Sequence, residues 1–292
     1  MTVHHPPPPT GDTASRATPT GDTASRATPT GDTAPRATAA GTPADQAPLA
    51  GRTALVTGAT GQLGDAVCRL LAARGAAVVG VHRTPSERAE ALAAGTGARL
   101  LRADLSDPDE TAALLGRVRE LGPAPDILVC AHGATARRPV LGGAYDAAAE
   151  QRLWQLNTGS VQQLAAAAAK RMMRAKFGRI VLFGSRGGAT GMPGQPGYAA
   201  AKAALSGWAA SAAWELGPFG VTVNVIAPGA VRARPEDAPV YSAEEDERAA
   251  GRTAVRRLAE PAEIAEAVGF LAAPGASYVT GQTLLVDGGA RW

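Results

Sequence analysis

Residues 53–64 read TALVTGATGQLG and combine a β-rich apolar run, a glycine-rich turn and the start of a helical stretch. Elements in this order place backbone N–H groups and a helix amino terminus around an anion, as the phosphates of a dinucleotide require. We expect Gly58 to permit the tight turn and Gly64 to permit a close approach of the helix to the sheet. Glycine-rich turns also serve as plain loops, which is the alternative interpretation of this segment.

Short apolar runs recur along the chain, separated by longer stretches of helical composition. The further runs are AVVGV (77–81), DILVC (126–130), RIVLF (179–183), VTVNVI (221–226) and TLLV (283–286). Helices are expected near residues 61–74, 86–95, 107–120, 146–175, 197–216 and 260–272. This alternation predicts an α/β fold, a Rossmann-like doubly wound parallel sheet of about seven strands with helices on both faces. Continuous apolar runs fit this interpretation, because strands in such a sheet are buried on both faces.

The amino-terminal region is built from a repeated decapeptide. TGDTASRATP occupies residues 10–19 and again 20–29, and TGDTAPRATA follows at 30–39. A unit without aromatic or branched aliphatic side chains cannot bury enough apolar surface to offset the entropy of ordering its backbone. We therefore predict a disordered low-complexity tail over residues 1–50 and a single folded domain over residues 51–292. A modification or tethering role for the repeats is the alternative to a passive tail.

Charge, cysteine content and hydropathy restrict the classes of partner. The chain has 29 basic and 26 acidic residues, and a net charge of +3 gives no reason to expect nucleic acid. Cys68 and Cys130 are far apart in sequence, which argues against a disulfide framework or a metal cluster and fits a reducing compartment. The sequence has neither a membrane-spanning apolar run nor a signal-peptide pattern, so we expect a cytoplasmic location without membrane association.

A second motif, YAAAK, spans Tyr198 to Lys202 in one of the predicted helices. The i,i+4 spacing puts the phenol and the ammonium on one helix face, and a neighbouring positive charge lowers the pKa of a phenol toward the range that a general acid needs. Ser185 lies at the end of the strand before this helix, and Asn157 lies in the long helix before that strand. These four residues are the candidate catalytic group.

Arg83 follows the second predicted strand, where folds of this type that prefer NAD usually carry an acidic residue. A carboxylate at this place would repel a 2′-phosphate, whereas an arginine pairs with it through two N–H donors. Arg83 therefore favours NADP(H) over NAD(H). The alternative is an ordinary solvated arginine after a strand.

Together these motifs resemble the short-chain dehydrogenase/reductase family over essentially all of residues 51–292, and most of all its 3-oxoacyl-acyl-carrier-protein reductases. Features carrying the resemblance are the glycine-rich turn, Asp104 in ADLSD, Asn157 in WQLNTGS, Ser185 in RIVLFGS, YAAAK, NVIAPG from Asn224 to Gly229, and the ending SYVTGQTLLVDGG. The resemblance implies an oxidoreductase that uses a nicotinamide dinucleotide and no metal ion.

The resemblance also implies a role for each candidate residue. Tyr198 would give a proton to a carbonyl oxygen while the nicotinamide delivers hydride to carbon, and Ser185 would hold that oxygen. Lys202 would bind the nicotinamide ribose and depress the pKa of Tyr198, and Asn157 would position, through its helix backbone, a water that relays protons to Lys202. Besides Tyr198 and Lys202, the expected cofactor contacts are Gly58, Thr60, Gln62, Leu63, Arg83, Asp104 and Leu105 (at the adenine), Ala131, Gly133, and Pro228, Gly229 and Val231 (at the nicotinamide).

Three places depart from the family pattern. The glycine usual at position 62 has moved to Gly61, so that Gln62 could crowd or bind the pyrophosphate. The family's Asn-Asn-Ala-Gly appears as Cys-Ala-His-Gly at residues 130–133, without the asparagine that braces the central sheet. Ala233 replaces a threonine, which removes a hydroxyl expected near the nicotinamide amide.

These expectations favour an NADPH-dependent ketoreductase acting on a 3-oxoacyl or polyketide-type ketone, either a free small molecule or a carrier-bound one. The alternatives are a dehydrogenase or reductase of a free small alcohol or sugar, and a catalytically silent dinucleotide-binding protein. An acyl carrier protein would need a basic docking surface, which Lys170, Arg171, Arg174 and Lys176 could supply. Phe219 stands at the second place where a carrier-linked reductase has a basic residue.

Two further expectations concern mobility and assembly. The polar stretch at residues 232–252, with Pro235 and Pro239, is typical of a mobile lid between a strand and a helix. Trp208 and Trp214 extend the apolar surface of a predicted helix beyond one stripe, which suits an interface between subunits. With the family resemblance, this predicts a homotetramer or a homodimer.

Overall fold

The computed structural model describes residues 47–84, 86–141, 145–234 and 242–291. In these ranges one sheet of seven strands runs in the order β3-β2-β1-β4-β5-β6-β7, and all neighbouring strands are parallel. The strands are β1 (Thr53–Thr57), β2 (Ala77–His82), β3 (Arg99–Arg102), β4 (Ile127–Cys130), β5 (Gly178–Phe183), β6 (Val221–Pro228) and β7 (Thr283–Val286). The predicted doubly wound α/β fold is confirmed.

Helices connect the strands as parallel pairing demands. In chain order they are α1 (Gln62–Ala73), α2 (Glu87–Thr96), α3 (Pro108–Leu121), α4 (Ala147–Trp154), α5 (Ser160–Ala175), α6 (Arg186–Thr190), α7 (Pro196–Leu216), α8 (Ala243–Gly251) and α9 (Pro261–Ala272). Proline at the first helical position starts α3, α7 and α9, where its missing N–H leaves no hydrogen bond unmade. Within the described ranges, we find no helix that is both long and apolar enough to cross a membrane.

Apolar side chains cover both faces of the sheet. One cluster packs α3, α5 and α7 against the sheet and includes the fully buried Leu114, Leu164 and Leu205. The other packs α1 and α9 against the opposite face and includes Leu71 and Ile264. Burial on both faces explains why β1, β4, β5 and β6 are buried along their whole length.

Three elements differ from the sequence prediction. Strand β3 escaped detection because it has four residues with an arginine at each end and lies at the sheet edge. The helix predicted at residues 146–175 is interrupted by a π-helical turn at Gln155–Gly159. Part of the stretch predicted to be a lid is helix α8, which begins with a reciprocal capping box between Ser242 and Glu245. Residues 235–241 of that stretch lie outside the described ranges.

Ordered structure begins before the predicted domain boundary at residue 51. Leu49 is fully buried in the cluster under α1 and α9, and its backbone N–H donates to the Arg74 carbonyl at 2.9 Å. A single leucine among prolines, alanines and glycines has no periodicity that would reveal its burial. The decapeptide repeats, and with them the prediction of a disordered tail, lie outside the described residues.

Candidate active site

Nearly all residues predicted to bind the cofactor lie at the edge of the sheet where the strands have their carboxyl ends. The chain order changes direction between β1 and β4, and ligands of doubly wound sheets bind in the crevice at such a point. The β1–α1 turn holds Gly58, Thr60, Gln62 and Leu63; Arg83 follows β2; Asp104 and Leu105 follow β3; Ala131 and Gly133 follow β4; Pro228 ends β6, followed by Gly229 and Val231. The fold therefore collects residues from five strand ends into one crevice.

The β1–α1 turn has the geometry of a phosphate cradle. Gly58 has a φ of +67°, and a methyl group on it would lie 2.9 Å from the backbone of His132. A methyl on Gly64 would lie 2.1 Å from the Gly58 carbonyl oxygen, so α1 approaches the turn as closely as backbone atoms permit. No side chain caps the amino end of α1 within the described residues, which leaves first-turn N–H groups for an anion. The residues present fit a dinucleotide.

Gln62, one of the family departures, spans the crevice. Its side-chain amide donates to the carbonyl of Arg232, in the segment after β6. The Arg234 guanidinium lies 3.5 Å from the carbonyl of Thr60 and brings a positive charge to the turn. Sequence reasoning missed Arg234, because nothing in its local sequence indicates a contact with a turn 174 residues away. Both contacts tie the segment after β6 to the phosphate turn.

The residues predicted for the adenosine end lie after two neighbouring strands. Arg83 is exposed, and its carbonyl accepts from Arg102 Nε at 3.1 Å. Asp104 accepts from the hydroxyl and the backbone N–H of Ser106, and these bonds, helped by the charge of Arg83, hold the pKa of the Asp104 carboxyl below its usual value. The Leu105 side chain is buried in the core, so its backbone is the part that can face an adenine.

Lys202 is buried beneath the crevice. Its ammonium donates to the carbonyl of Phe183, the last residue of β5, at 2.8 Å, and 4% of the residue is exposed. Burial lowers the pKa of this amine to about 8. Tyr198 is half-buried one turn earlier on α7, on the same helix face. A methyl on Gly133 would lie 2.6 Å from Asn157 Oδ1 and 3.1 Å from Lys202 Nζ, so the Gly133 backbone packs closely against both side chains.

Asn157 lies in the π-helical turn between α4 and α5 and is fully buried. Its amide donates to the carbonyls of Ala134 and Leu153 at 2.9 and 3.0 Å, and its oxygen accepts from the Ala134 N–H. The hydroxyl of Thr158 donates to the Ala201 carbonyl at 2.8 Å, which ties the turn to α7 beside Lys202. The Asn157 side chain is thus occupied in holding the segment after β4.

Ser185 caps the short helix α6, and its hydroxyl oxygen accepts from the N–H of Gly187 at 3.1 Å. This bond uses a lone pair and leaves the hydroxyl hydrogen available to donate to a substrate oxygen. Helix α6 packs directly on α7, since a methyl on Gly188 would lie 2.8 Å from the Ala203 nitrogen. Ser185 is thereby held at a fixed position relative to the helix that carries Tyr198 and Lys202.

An ion pair that sequence reasoning missed joins Arg186, the residue after Ser185, to Asp287 in the carboxyl-terminal segment. Arg186 Nε donates to Asp287 Oδ2 at 3.1 Å, and another guanidinium nitrogen donates to the Ala290 carbonyl at 3.1 Å. The two side chains are 16% and 12% exposed. The Asp287 backbone lies against Gly229, where a methyl would come within 2.8 Å of the Asp287 Cα. Asp287 therefore links the neighbour of Ser185 to the segment predicted to border the nicotinamide.

An open cavity of about 520 Å³ lies between the end of α6 and the start of α7. Its lining is mostly apolar and consists of Thr190, Gly191, Met192, Pro193, Pro196 and Ala199. The Met192 side chain also approaches Gly187, next to Ser185. The cavity thus adjoins Ala199, the residue after Tyr198, and Met192, which packs near the residue that Ser185 caps.

Comparison with solved structures and curated proteins agrees with this geometry. A structure described as "short chain dehydrogenase/reductase family protein" is 42% identical, has a TM-score of 0.73 and covers 82% of this chain and 97% of its own. A short-chain dehydrogenase/reductase from Serratia marcescens BCRC 10948 is 31% identical, with a TM-score of 0.76 and coverage of 83% and 98%. The family described as Enoyl-(Acyl carrier protein) reductase matches residues 58–291. The chain belongs to the short-chain dehydrogenase/reductase family.

This short-chain dehydrogenase/reductase is also similar to two curated proteins over most of their length. Nodulation protein G of Rhizobium sp. (strain N33) is 39% identical over 240 residues, which are 82% of this chain and 96% of that protein. The 3-oxoacyl-[acyl-carrier-protein] reductase FabG of Escherichia coli (strain K12) is 38% identical over 246 residues, with coverage of 82% and 96%. As a member of this family, the protein is an oxidoreductase that acts on CH–OH and C=O groups.

Burial of Lys202 predicts a pH dependence of stability. Its pKa is about 8 in the folded protein and 10.5 when unperturbed, so between these values the unfolded chain binds more protons and the free energy of unfolding rises with pH. Lys202→Met removes this contribution. In urea unfolding without dinucleotide, the free energy of unfolding of the wild-type protein should therefore increase relative to that of the variant as the pH rises between these two values. Parallel pH profiles for the two proteins would contradict the burial of a titrating amine.

The Arg186–Asp287 pair predicts a catalytic defect at a distance from the reacting atoms. Arg186→Met should lower kcat about tenfold or more. The variant loses the ion pair that connects the residue after Ser185 to Asp287, and small displacements of catalytic groups cost rate. The control is Arg74→Met, which breaks the ion pair between Arg74, just after α1, and the exposed side chain of Glu266 on α9. Steady-state kinetics should separate the two variants; equal kcat values would show that the Arg186 pair serves stability alone.

Proposed function

We propose that the protein is an NADPH-dependent ketoreductase that reduces a 3-oxoacyl or polyketide-type ketone. The observation that carries the proposal is the buried Lys202 amine, fixed on the Phe183 carbonyl one helical turn from Tyr198. Ser185 lies on the helix packed against this turn. A proton donor, a positive charge beside it and a second hydroxyl are the groups that reduction of a carbonyl requires from the protein.

The chain's own residues account for the proton movements. Bound NADPH supplies the hydride that reaches the carbonyl carbon. Tyr198 gives its phenolic proton to the carbonyl oxygen, which becomes the alcohol, while Ser185 donates a hydrogen bond to the same oxygen and stabilises its developing charge. Lys202 holds positive charge next to Tyr198, which favours the phenolate left after transfer. A backbone group of the π turn at Asn157 would hold a water that returns a proton toward Lys202.

The cofactor would lie along the crevice from β3 to β6. Its pyrophosphate would take N–H groups at the amino end of α1, above Gly58, with the Arg234 charge near the Thr60 carbonyl. The exposed Arg83 supports a preference for NADP(H), since a guanidinium forms a bidentate hydrogen-bonded pair with a 2′-phosphate. Lys202, which packs against the Gly133 backbone, would bind the nicotinamide ribose.

The apolar cavity between α6 and α7, which Ala199 helps to line, supports an acyl substrate. The lining by Met192, Pro193 and Pro196 suits an alkyl chain better than a sugar, whose hydroxyls need polar partners. The curated relatives named 3-oxoacyl-[acyl-carrier-protein] reductase support a substrate on an acyl carrier protein. Lys170, Arg171, Arg174 and Lys176 are exposed at the end of α5, where an acidic carrier could dock.

Phe219 stands where a second basic residue was expected and adds no charge to this surface. The Lys176 ammonium lies 4.6 Å from the centre of the Phe219 ring, a cation–π contact that favours its position there.

We also propose that the protein acts in the cytoplasm as a homotetramer or homodimer. Trp214, on α7, is 87% exposed, and Leu284 and Leu285 are exposed on the edge strand β7. Apolar residues at a sheet edge and on a long helix are typical of surfaces covered by another subunit. A monomer mass in analytical ultracentrifugation at micromolar concentration would refute this assembly.

The reaction is tested by following NADPH absorbance with a 3-oxoacyl thioester, presented on a small thiol and on an acyl carrier protein. Turnover is expected with both, and Tyr198→Phe should lower kcat by about two to four orders of magnitude while leaving NADPH binding unchanged, because the phenol supplies general-acid catalysis. Turnover only with small alcohols or sugars would favour the first alternative. NADPH binding without reduction of any carbonyl would favour a silent dinucleotide-binding protein.

Cofactor choice is tested at Arg83. Arg83→Asp should weaken NADPH binding about tenfold or more and strengthen NADH binding, because the carboxylate repels a 2′-phosphate and accepts from a free 2′-hydroxyl. Arg119→Asp makes the same charge change on the exposed end of α3 and should leave the ratio of the two dissociation constants unaltered. Tighter binding of NADH than NADPH by the wild-type protein would contradict the assignment.

A further inference from the structure

His132 is a buried titratable residue for which the reaction has no use. It lies after β4, in the Cys-Ala-His-Gly segment, and is 8% exposed. Nδ1 lies 2.6 Å from the hydroxyl of Thr57, and Nε2 lies 2.8 Å from the hydroxyl of Ser160. The ring therefore bridges the end of β1 and the start of α5.

The direction of these hydrogen bonds follows from counting hydrogens. Ser160 Oγ has one hydrogen, which it donates to the Leu156 carbonyl at 3.0 Å, so it accepts from His132 Nε2–H. A neutral ring protonated on Nε2 has an acceptor at Nδ1, to which Thr57 donates; the Val129 carbonyl, at 3.4 Å, is a poorer acceptor for Thr57. Burial, together with the charge of Lys202, lowers the pKa of His132 to about 3, so the ring is neutral at physiological pH.

The two ends of this chain of bonds lie in two different parts of the active site. Thr57 precedes Gly58 of the phosphate turn, whose backbone touches the backbone of His132 itself. Leu156 lies in the π turn beside Asn157. The Asn157 amide donates to the carbonyl of Ala134, the residue after Gly133. Hydrogen bonds thus run from the phosphate turn, through the ring, to the turn that faces Lys202.

We propose that His132 is a positioning residue that fixes the spacing between the phosphate turn, the segment after β4 and the π turn carrying Asn157. A rigid ring with one donor and one acceptor, directed to opposite sides, sets this spacing more tightly than a flexible side chain. The inference rests on the proposed function only for its kinetic consequence, because the contacts themselves concern how a dinucleotide and the π turn are held.

The test compares His132→Ala and His132→Gln by NADPH binding, kcat, KM for the ketone and thermal melting. His132→Ala should raise the NADPH dissociation constant several-fold and lower kcat about 10- to 100-fold, with KM for the ketone little changed, since a misplaced catalytic geometry costs rate. Glutamine offers one neutral donor and one acceptor and should restore part of kcat.

Each end of the bridge is tested by Thr57→Val and Ser160→Ala, alone and combined with His132→Ala. Each single change should lower kcat, and neither should lower it further once the ring is absent, because residues that act through one network are not additive. Arg179→Met is the matched control: Arg179 is 2% exposed and bonded to the carbonyls of Gly178 and Ala273 at the opposite end of the sheet. It should lower the melting temperature without changing kcat.

Three results would overturn the proposal: a kcat at the wild-type level in His132→Ala despite a lowered melting temperature, multiplicative effects of the Thr57 and His132 changes, or no effect of either end. If His132→Ala does not fold, wild-type kcat in both Thr57→Val and Ser160→Ala would also overturn it. If the wild-type protein reduces no ketone, the proposed function fails, and the dissociation constants for NADPH across the same variants decide the positioning role independently.

Discussion

The structure depends on a close contact between two stretches of backbone, the turn after β1 and the segment after β4. Gly58 and the backbone of His132 approach so closely that a single methyl group would collide, and Gly64 brings α1 onto the same turn. Backbone atoms therefore form the floor of the crevice at the point where the sheet reverses its winding order. Because side chains are excluded there, N–H groups face the ligand space, and larger residues are confined to the rim.

The reactive groups are held around this floor by helices that end or begin beside strand ends. Lys202 reaches from α7 to the last carbonyl of β5, and Thr158 ties the π turn back to α7. Burial removes the hydration of the Lys202 ammonium, and its hydrogen bond to a neutral carbonyl offsets only part of this free-energy cost. The low pKa of Lys202 and the fixed geometry of the site thus have one origin, the packing of α7 against the sheet.

Residues that depart from the family pattern have found partners of their own. Gln62 bonds to the segment after β6, and His132 bridges β1 and α5 where the family's asparagine is missing. The ion pair of Arg186 and Asp287 connects the residue after Ser185 to the carboxyl-terminal segment. Each of these contacts joins two segments that border the crevice.

The sequence by itself determined the order of strands and helices, the phosphate turn and the candidate catalytic group, because each has a local signature. Apolar runs report burial on both faces, glycines report positions without room for a side chain, and YAAAK places two groups on one helix face. Strand β3, with four residues and an arginine at each end, was too short and too polar for such a signal. Leu49 was hidden among prolines and glycines for the same reason.

Tertiary structure alone decided which distant residues meet. The π turn at Asn157, the tautomer of His132, the burial of Lys202 and the pairing of Arg186 with Asp287 all arise between segments far apart in sequence. A histidine or an arginine has the same local pattern whether it is solvated or bridges two loops. Its role is set by the groups that the folded chain brings within hydrogen-bonding distance, and no periodicity in the sequence records them.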